Sequence, residues 1–125
     1  MTVIRQSQLE LIETPGGNAG AALATASRGA REVSVIKQRQ QPGGVNPDHY
    51  HDREETLILL AGEVEISQGE RSDRLQPGDA VIVAPRQPHR VRNTGDIEAE
   101  WLLVAPAGIK FFHANGEQAS PPWSL

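Results

Sequence analysis

Apolar and polar residues alternate over short stretches of this chain, and turn residues interrupt the alternation every few positions. Successive side chains of a strand point to opposite faces, so this pattern is typical of strands with one buried face. No stretch keeps an apolar period of 3.6 residues, which predicts an all-β fold. The stretches predicted as strands are 31–40, 55–67 (a hairpin turning at Ala61-Gly62), a polar strand within 69–79, a buried strand at 80–85, and strands at 89–93 and 97–108. Residues 1–14 are expected to form a short strand or extended arm, followed by a loop at 14–20.

The bulk composition is that of one globular domain. The 125 residues suffice for a single core. We divide the chain into an arm with the first strands (1–30), a core barrel (31–108) and a tail (109–125). A net charge of −4 argues against a nucleic-acid partner, and without cysteine any metal must be bound by imidazole, carboxylate or water. No apolar segment predicts a secretory signal or a membrane span, so a cytoplasmic protein is expected.

Two of the four histidines stand one residue apart in the stretch HYHDREETLILLAG. If one strand runs unbroken through this stretch, His49, His51 and Glu55 share a face and Glu54 points away. Two imidazoles and a carboxylate on an inward face are costly to desolvate unless a divalent cation binds them. In HRVRN the same alternation turns His89 inward as a further ligand and its arginines toward solvent. The pattern therefore predicts a metal site with four protein ligands.

The spacing of these residues resembles the cupin family. Its first motif is glycine, five residues, His-x-His, three or four residues, glutamate, six residues and glycine, which is matched by Gly43, His49, His51, Glu55 and Gly62. The resemblance implies a jelly-roll barrel of the double-stranded β-helix type, with His49, His51, Glu55 and His89 as metal ligands. The glycines at 62 and 78 are expected to serve tight turns.

The second cupin motif is matched less completely. Gly78, His89 and Asn93 are in register, but Ala84 stands where the family has proline and Arg86 where it has its second glycine. Arginine tolerates a positive φ poorly, so we expect strain at Arg86 unless the neighbouring prolines impose a different turn.

Three imidazoles and one carboxylate leave a divalent metal with one net positive charge and, in an octahedral arrangement, two open positions. Such a site suits a substrate that chelates through two oxygens. The resemblance implies Mn or Fe as the favoured metal, with Ni, Cu or Zn as alternatives, and an oxygenase-type enzyme. A cupin isomerase, lyase or decarboxylase, and a metal-loaded binding or sensor barrel without turnover, remain alternatives.

The substrate pocket is predicted from the alternation alone. Either Gln38 and Gln40 or their neighbours Lys37, Arg39 and Gln41 face inward, and the first choice would place two amides in the barrel. The predicted pocket residues are Gln38, Gln40, Leu57, Leu59, Val91 and Trp101. With five aromatic residues in the chain, we expect a small polar ligand. His113, outside both motifs in a turn-rich tail, is expected to be exposed and inert.

A homodimer that exchanges its terminal arms is the expected assembly. The arm at residues 2–12 and the tail at 121–125 are long for a bare barrel, and exposed apolar edges require cover.

Overall fold

The computed structural model describes residues 1–121, and its regular structure is almost entirely β. Two short 3-10 helices, Gln6–Gln8 and Ala26–Arg28, accompany the strands. The strands are β1 (Ile12–Thr14), β2 (Asn18–Ala24), β3 (Val33–Gln40), β4 (His49–His51), β5 (Glu55–Ala61), β6 (Val64–Gln68), β7 (Arg71–Leu75), β8 (Ala80–Val83), β9 (Arg90–Asn93), β10 (Ala99–Pro106), β11 (Phe111–His113) and β12 (Gln118–Ala119). The all-β prediction is confirmed.

One layer of the barrel is a six-stranded antiparallel sheet in the order β1-β2-β3-β10-β5-β8. Its central strands alternate as the sequence predicts. On β10, Ala99, Trp101 and Leu103 are buried, whereas the residues between them are partly exposed. The buried set packs into the core because period-two alternation delivers every second side chain to the same face.

The opposite layer contains two three-stranded sheets, β12-β11-β4 and β7-β6-β9. Two isolated bridges, His49↔His89 and Val45↔Arg92, connect them. Backbone hydrogen bonds run in both directions between His49 and His89, at 3.0 and 2.9 Å. The apolar core draws residues from both layers, including Leu57, Val91 and Phe111. The molecule is a jelly-roll barrel.

The predicted hairpin at 55–67 is wrong. β5 belongs to the six-stranded sheet and β6 to the opposite layer, so the chain crosses between layers at Gly62. Gly62 has a φ of 81°, and a Cβ there would lie 2.8 Å from the Cα of Ala99. The crossing therefore requires glycine for its backbone conformation and for the close approach of β10.

The stretch at 80–85, predicted as buried, forms an edge strand instead. β8 pairs with β5 alone among the described strands, and Ile82 is 69% exposed. A run of apolar residues does not reveal whether a strand is central or at the edge, because that depends on which strands pair.

The segment after residue 108 contributes β11 and β12 to the barrel, and Phe111 lies in the core. The predicted tail residues 122–125 lie outside the described residues. Among the described residues, no helix has the length and apolar character needed to cross a bilayer.

Candidate metal centre and its cavity

Four side chains from two separate stretches of the chain converge inside the barrel. His49, His51, Glu55 and His89 each direct one ligand-type atom to a common point, and these atoms all lie within 4.8 Å of one another. Three of the four are buried, and His49 is partly exposed. Glu54 is exposed, as the alternation predicts. The structure thus brings together the whole predicted ligand set.

The route by which His51 and Glu55 converge differs from the predicted one. The chain does not run as one strand through this motif: it bends at residues 52–54, so that β4 and β5 belong to opposite layers. Asp52 secures the bend, since its Oδ1 accepts a 2.7 Å hydrogen bond from the Lys110 backbone N–H. His51 and Glu55 therefore face each other across the barrel, where one cation can contact both.

The turn before His89 contains the only non-glycine residue with a positive φ in the described chain. Arg86 has a φ of 62°, and its backbone N–H donates to the carbonyl of His51 at 2.8 Å. The second motif thus keeps a left-handed residue where the family has glycine, although the residue is arginine. After the turn, His89 and Val91 are buried and Arg90 and Arg92 are exposed, which confirms the alternation predicted for HRVRN.

Two of the imidazoles are oriented by backbone carbonyls. Nδ1 of His49 lies 2.9 Å from the Pro47 oxygen, and Nδ1 of His89 lies 2.8 Å from the Gln87 oxygen. A carbonyl oxygen only accepts hydrogen bonds, so both rings carry a proton on Nδ1. This leaves Nε2 of each ring as the atom that can bind a metal, an orientation common for metal-ligating histidine.

His51 provides the direct test of whether a cation fits here. Its side chain is buried, and neither ring nitrogen has a hydrogen-bond partner, although Nε2 lies 2.9 Å from Oε2 of Glu55. The contact is short, but its direction does not suit an N–H···O bond. A buried polar nitrogen without a partner is unfavourable. A metal bound at this point would give Nε2 of His51 a partner, and the donor set of three nitrogens and one oxygen suits a divalent transition metal.

Electrostatics keep Glu55 ionised. Burial raises the pKa of its carboxyl, but the adjacent His51 and His89 rings outweigh burial and lower it to about 2. For His89 the sign is opposite: burial lowers the pKa, yet the 2.9 Å hydrogen bond from Nε2 to Oε1 of Glu55 leaves it raised. Burial, followed by repulsion from His89, lowers the pKa of His49 to about 4. The centre thus contains a carboxylate and a neutral imidazole over a wide pH range.

A cavity of about 410 Å³ opens beside His49. Three of the five aromatic residues in the chain, Trp101, Phe111 and Phe112, line it. The described wall also carries Gln38 and Asn46 but no carboxylate side chain. The fold brings these rings to the cavity from both layers, Trp101 on β10 and Phe111 and Phe112 on β11. The small number of aromatic residues in the chain therefore no longer argues for a small polar ligand.

The structure separates the residues predicted for the pocket. Gln38 and Trp101 line the cavity. Gln40, Leu57, Leu59 and Val91 are buried in the core and do not line it. Alternation places all six inside the barrel, but only some inward side chains reach the open part, because the packed core fills the rest.

Other cavity residues were missed from the sequence. Asn46 lies inside the first motif, among the five residues between Gly43 and His49, where the motif specifies no residue type. His113 is exposed, as expected, but it lies on β11 and lines the cavity, because β11 pairs with β4 and sets His113 opposite His49. The apolar residues Ile109, Phe111 and Phe112 are the one signal in the sequence that could have indicated this strand.

Comparison with known proteins agrees with this architecture. The chain is 32% identical to the protein SchB of Streptomyces halstedii over 89 residues, which cover 70% of this chain and 64% of that protein. The match thus spans somewhat less than two thirds of that relative's length.

Among solved structures, the polyketide cyclase RemF from Streptomyces resistomycificus superposes with a TM-score of 0.79 at 18% identity, covering 99% of this chain and 89% of that one. The oxalate decarboxylase of Lactobacillus farciminis superposes with a TM-score of 0.78 at 21% identity, covering 87% of this chain and 34% of that one. At these identities the superpositions show the fold alone. The family model of the cupin domain matches residues 37–105, a range that contains all four candidate ligands. The chain belongs to the cupin family.

Proposed function

We propose that this protein is a metal-dependent enzyme whose substrate chelates the metal through two oxygen atoms. The observation that carries the proposal is the convergence of three imidazoles and one ionised carboxylate beside a partly enclosed cavity. His49, His51, Glu55 and His89 would hold one divalent transition metal. A metal bound there would polarise the oxygens of the substrate, and a redox-active ion would also permit reaction with dioxygen.

The residues of the chain supply orientation and exclusion of water. The Pro47 and Gln87 carbonyls hold the His49 and His89 rings in one tautomer, so that Nε2 is the binding atom of each. Burial of His51, Glu55 and His89 removes competing water from one side of the centre. Because His49 both belongs to the centre and lines the cavity, a substrate would reach the centre past His49.

Two reactions are proposed for such a substrate. The first is the oxygenase-type reaction that the cupin resemblance implies, with Mn or Fe as the favoured metal. The second is a ring-forming reaction without net oxidation, which the aromatic cavity wall and the shared fold with a polyketide cyclase favour. A small substrate such as oxalate would leave much of a 410 Å³ cavity unfilled.

Metal content tests the common part of the proposal. Protein purified without chelator should contain about one transition-metal ion per chain, measured by inductively coupled plasma mass spectrometry. His51→Ala should reduce that content at least tenfold, since it removes the most deeply enclosed nitrogen ligand. The matched control His113→Ala removes a histidine that lies at the cavity but outside the ligand cluster, so its metal content should be unchanged. A wild-type protein that binds no metal would overturn the proposal.

Oxygen consumption separates the two reactions. The Fe- or Mn-loaded protein, given pentane-2,4-dione as a chelating probe, should consume oxygen if the site is of the oxygenase type. A ring-forming site should consume no oxygen and should convert a linear poly-β-ketone equally well under nitrogen. Ligand-induced stabilisation without conversion of either compound would indicate a binding or sensor barrel instead.

A further inference from the structure

The cavity contains two amide side chains whose orientation is determined by their neighbours. The first is Gln38 on β3, which faces Trp101 on β10 in the sheet register. The indole N–H of Trp101 donates a 2.6 Å hydrogen bond to Oε1 of Gln38. An indole nitrogen can only donate, so the amide must present its oxygen to Trp101. The amino group of Gln38 is left without a partner among the described residues.

Asn46 repeats this arrangement from the opposite layer. The backbone N–H of Val91 donates a 2.7 Å hydrogen bond to Oδ1 of Asn46. A backbone N–H also only donates, so the oxygen of Asn46 is the engaged atom. The amino group of Asn46 therefore also remains unpaired among the described residues, and its side chain lines the same cavity as Gln38 and His49.

Two other polar residues of the wall, Asn18 and Arg39, have their side chains already engaged. Both ends of the Asn18 amide are used: its Nδ2 donates to the carbonyls of Pro15 and Val45, and its Oδ1 accepts from Gln40. Arg39 is held by Glu100 at 3.1 Å. Within the described wall, Gln38 and Asn46 thus each present an unpaired amino group, which is a hydrogen-bond donor. Both side chains line a partly enclosed cavity that aromatic rings also line.

Resting on the proposed function, we propose that the ligand is a flat conjugated aromatic ketone or quinone. Its carbonyl or phenolate oxygens, beyond those that chelate the metal, accept hydrogen bonds from the amino groups of Gln38 and Asn46. Its rings pack against Trp101, Phe111 and Phe112, where offset or edge-to-face aromatic contacts are favourable. Trp101 acts as a positioning residue, since its N–H determines which end of the Gln38 amide is available.

A donor-to-acceptor exchange tests this assignment. Gln38→Glu keeps an oxygen for Trp101 but replaces the amino donor with a second acceptor. Binding would be measured by isothermal titration calorimetry of zinc-loaded and of chelator-treated protein. The acceptor-rich probe is 1,8-dihydroxyanthraquinone, and the donor-rich probe is 1,8-diaminonaphthalene. The wild type should prefer the anthraquinone. Gln38→Glu should weaken anthraquinone binding at least tenfold and strengthen diamine binding, and Asn46→Asp should act in the same direction.

The exposed Gln6→Glu variant is the matched control, because it makes the same chemical change away from the described cavity wall. It should leave both affinities unchanged. A reversal of preference is not expected from simple damage to the fold, which would weaken both probes together. If Gln38→Glu and Asn46→Asp bind the anthraquinone as tightly as wild type, or if metal-loaded wild type does not bind it, the assignment is overturned.

The same titrations separate this assignment from the proposed function. If the protein takes up no metal but still shows the reversal, the ligand assignment stands and the enzymatic proposal fails. If metal binds stoichiometrically and no reversal occurs, the enzymatic proposal stands and the ligand assignment fails.

Discussion

At the level of single residues, the second cupin motif departs from the family at Arg86, and the structure shows what this departure entails. The residue keeps the left-handed conformation, with a φ of 62°, directly after Pro85. Its N–H binds the carbonyl of His51, so the turn connects the two motifs at the backbone. A non-glycine residue in this region carries a steric cost of about 1–2 kcal/mol. The turn geometry is therefore preserved, but the arginine lowers the free energy of unfolding relative to a residue without this strain.

We predict that Arg86→Gly stabilises the protein. Relief of the left-handed strain should exceed the greater chain entropy of glycine, for a net gain of about 1 kcal/mol in the free energy of unfolding. Urea denaturation measures this change. Arg90→Gly, made in β9 where the backbone is extended, is the control and should destabilise by a similar amount. A loss of stability in Arg86→Gly would show that the arginine side chain contributes more than its backbone costs.

The titration of the ligands predicts how the metal-free protein responds to acid. The pKa of His49 is about 4 in the fold and 6.5 for an unperturbed imidazole, so between these values the unfolded chain binds a proton that the folded chain does not. Stability therefore falls as the pH is lowered from 6.5 to 4. Glu55, with its pKa lowered from 4.5 to about 2, extends the loss below pH 4.5. His89 has a raised pKa, so its contribution is fully present below pH 6.5 and is lost only at higher pH.

Urea midpoints of chelator-treated protein at pH 6.5 and 4.5 measure this effect. The midpoint should be lower at pH 4.5, and the decrease should be smaller in His49→Asn, which has no imidazole to titrate. Equal decreases in the two proteins would show that His49 does not account for the acid sensitivity.

At the level of elements, buried polar bonds join strands that alternation alone cannot align. Asn93, the last residue of the second motif, is buried at the end of β9. Its Nδ2 donates to the carbonyls of Gln40 and Ile97, both at 2.9 Å, and its Oδ1 accepts from the N–H of Gly95. The side chain thus connects β9 to the end of β3 in the opposite layer. Asn93 therefore has a structural role in the motif, since it contributes no ligand atom to the cluster.

Asn93→Ala should destabilise the protein by about 3 kcal/mol, because the buried Gln40 carbonyl and the part-buried Ile97 carbonyl and Gly95 N–H lose these hydrogen bonds. Urea denaturation provides the measurement, and metal content per folded chain should stay unchanged. Asn115→Ala is the matched control: its exposed Oδ1 accepts a single turn hydrogen bond from Glu117, so a change below about 0.5 kcal/mol is expected. Equal effects of the two substitutions would contradict the connecting role of Asn93.

At the level of the whole molecule, the outer face of the six-stranded sheet is more apolar than a solvated face would be. Ile82, Leu60 and Val33 are exposed there by 69, 45 and 55%. The same face carries both charge signs, since Lys37 and Arg39 are paired with Glu100. An apolar surface with both charges beside it can pair with its own copy about a twofold axis. We propose that a second copy of this chain covers this face, an arrangement different from the arm-exchanging homodimer expected from the sequence.

Size-exclusion chromatography with light scattering should therefore give twice the chain mass of 13.5 kDa. Ile82→Lys should convert the protein to the monomer while its circular dichroism stays unchanged. Val45→Lys, which adds the same charge at an exposed residue of the opposite layer, should leave the dimer intact. A wild-type protein with the monomer mass would remove this proposal.

The sequence by itself determined the kind of fold and the kind of site. Period-two alternation and frequent turns are local properties, so they specify strands and inward faces, and the motif spacing identified all four candidate ligands. Pairing between strands is not local, and only the tertiary structure decided it. The crossing at Gly62, the edge position of Ile82 and the strand that carries His113 depend on which segments meet across the barrel. So does the composition of the cavity, where Asn46 and Gln38 become donors because Val91 and Trp101 engage their oxygens from other strands.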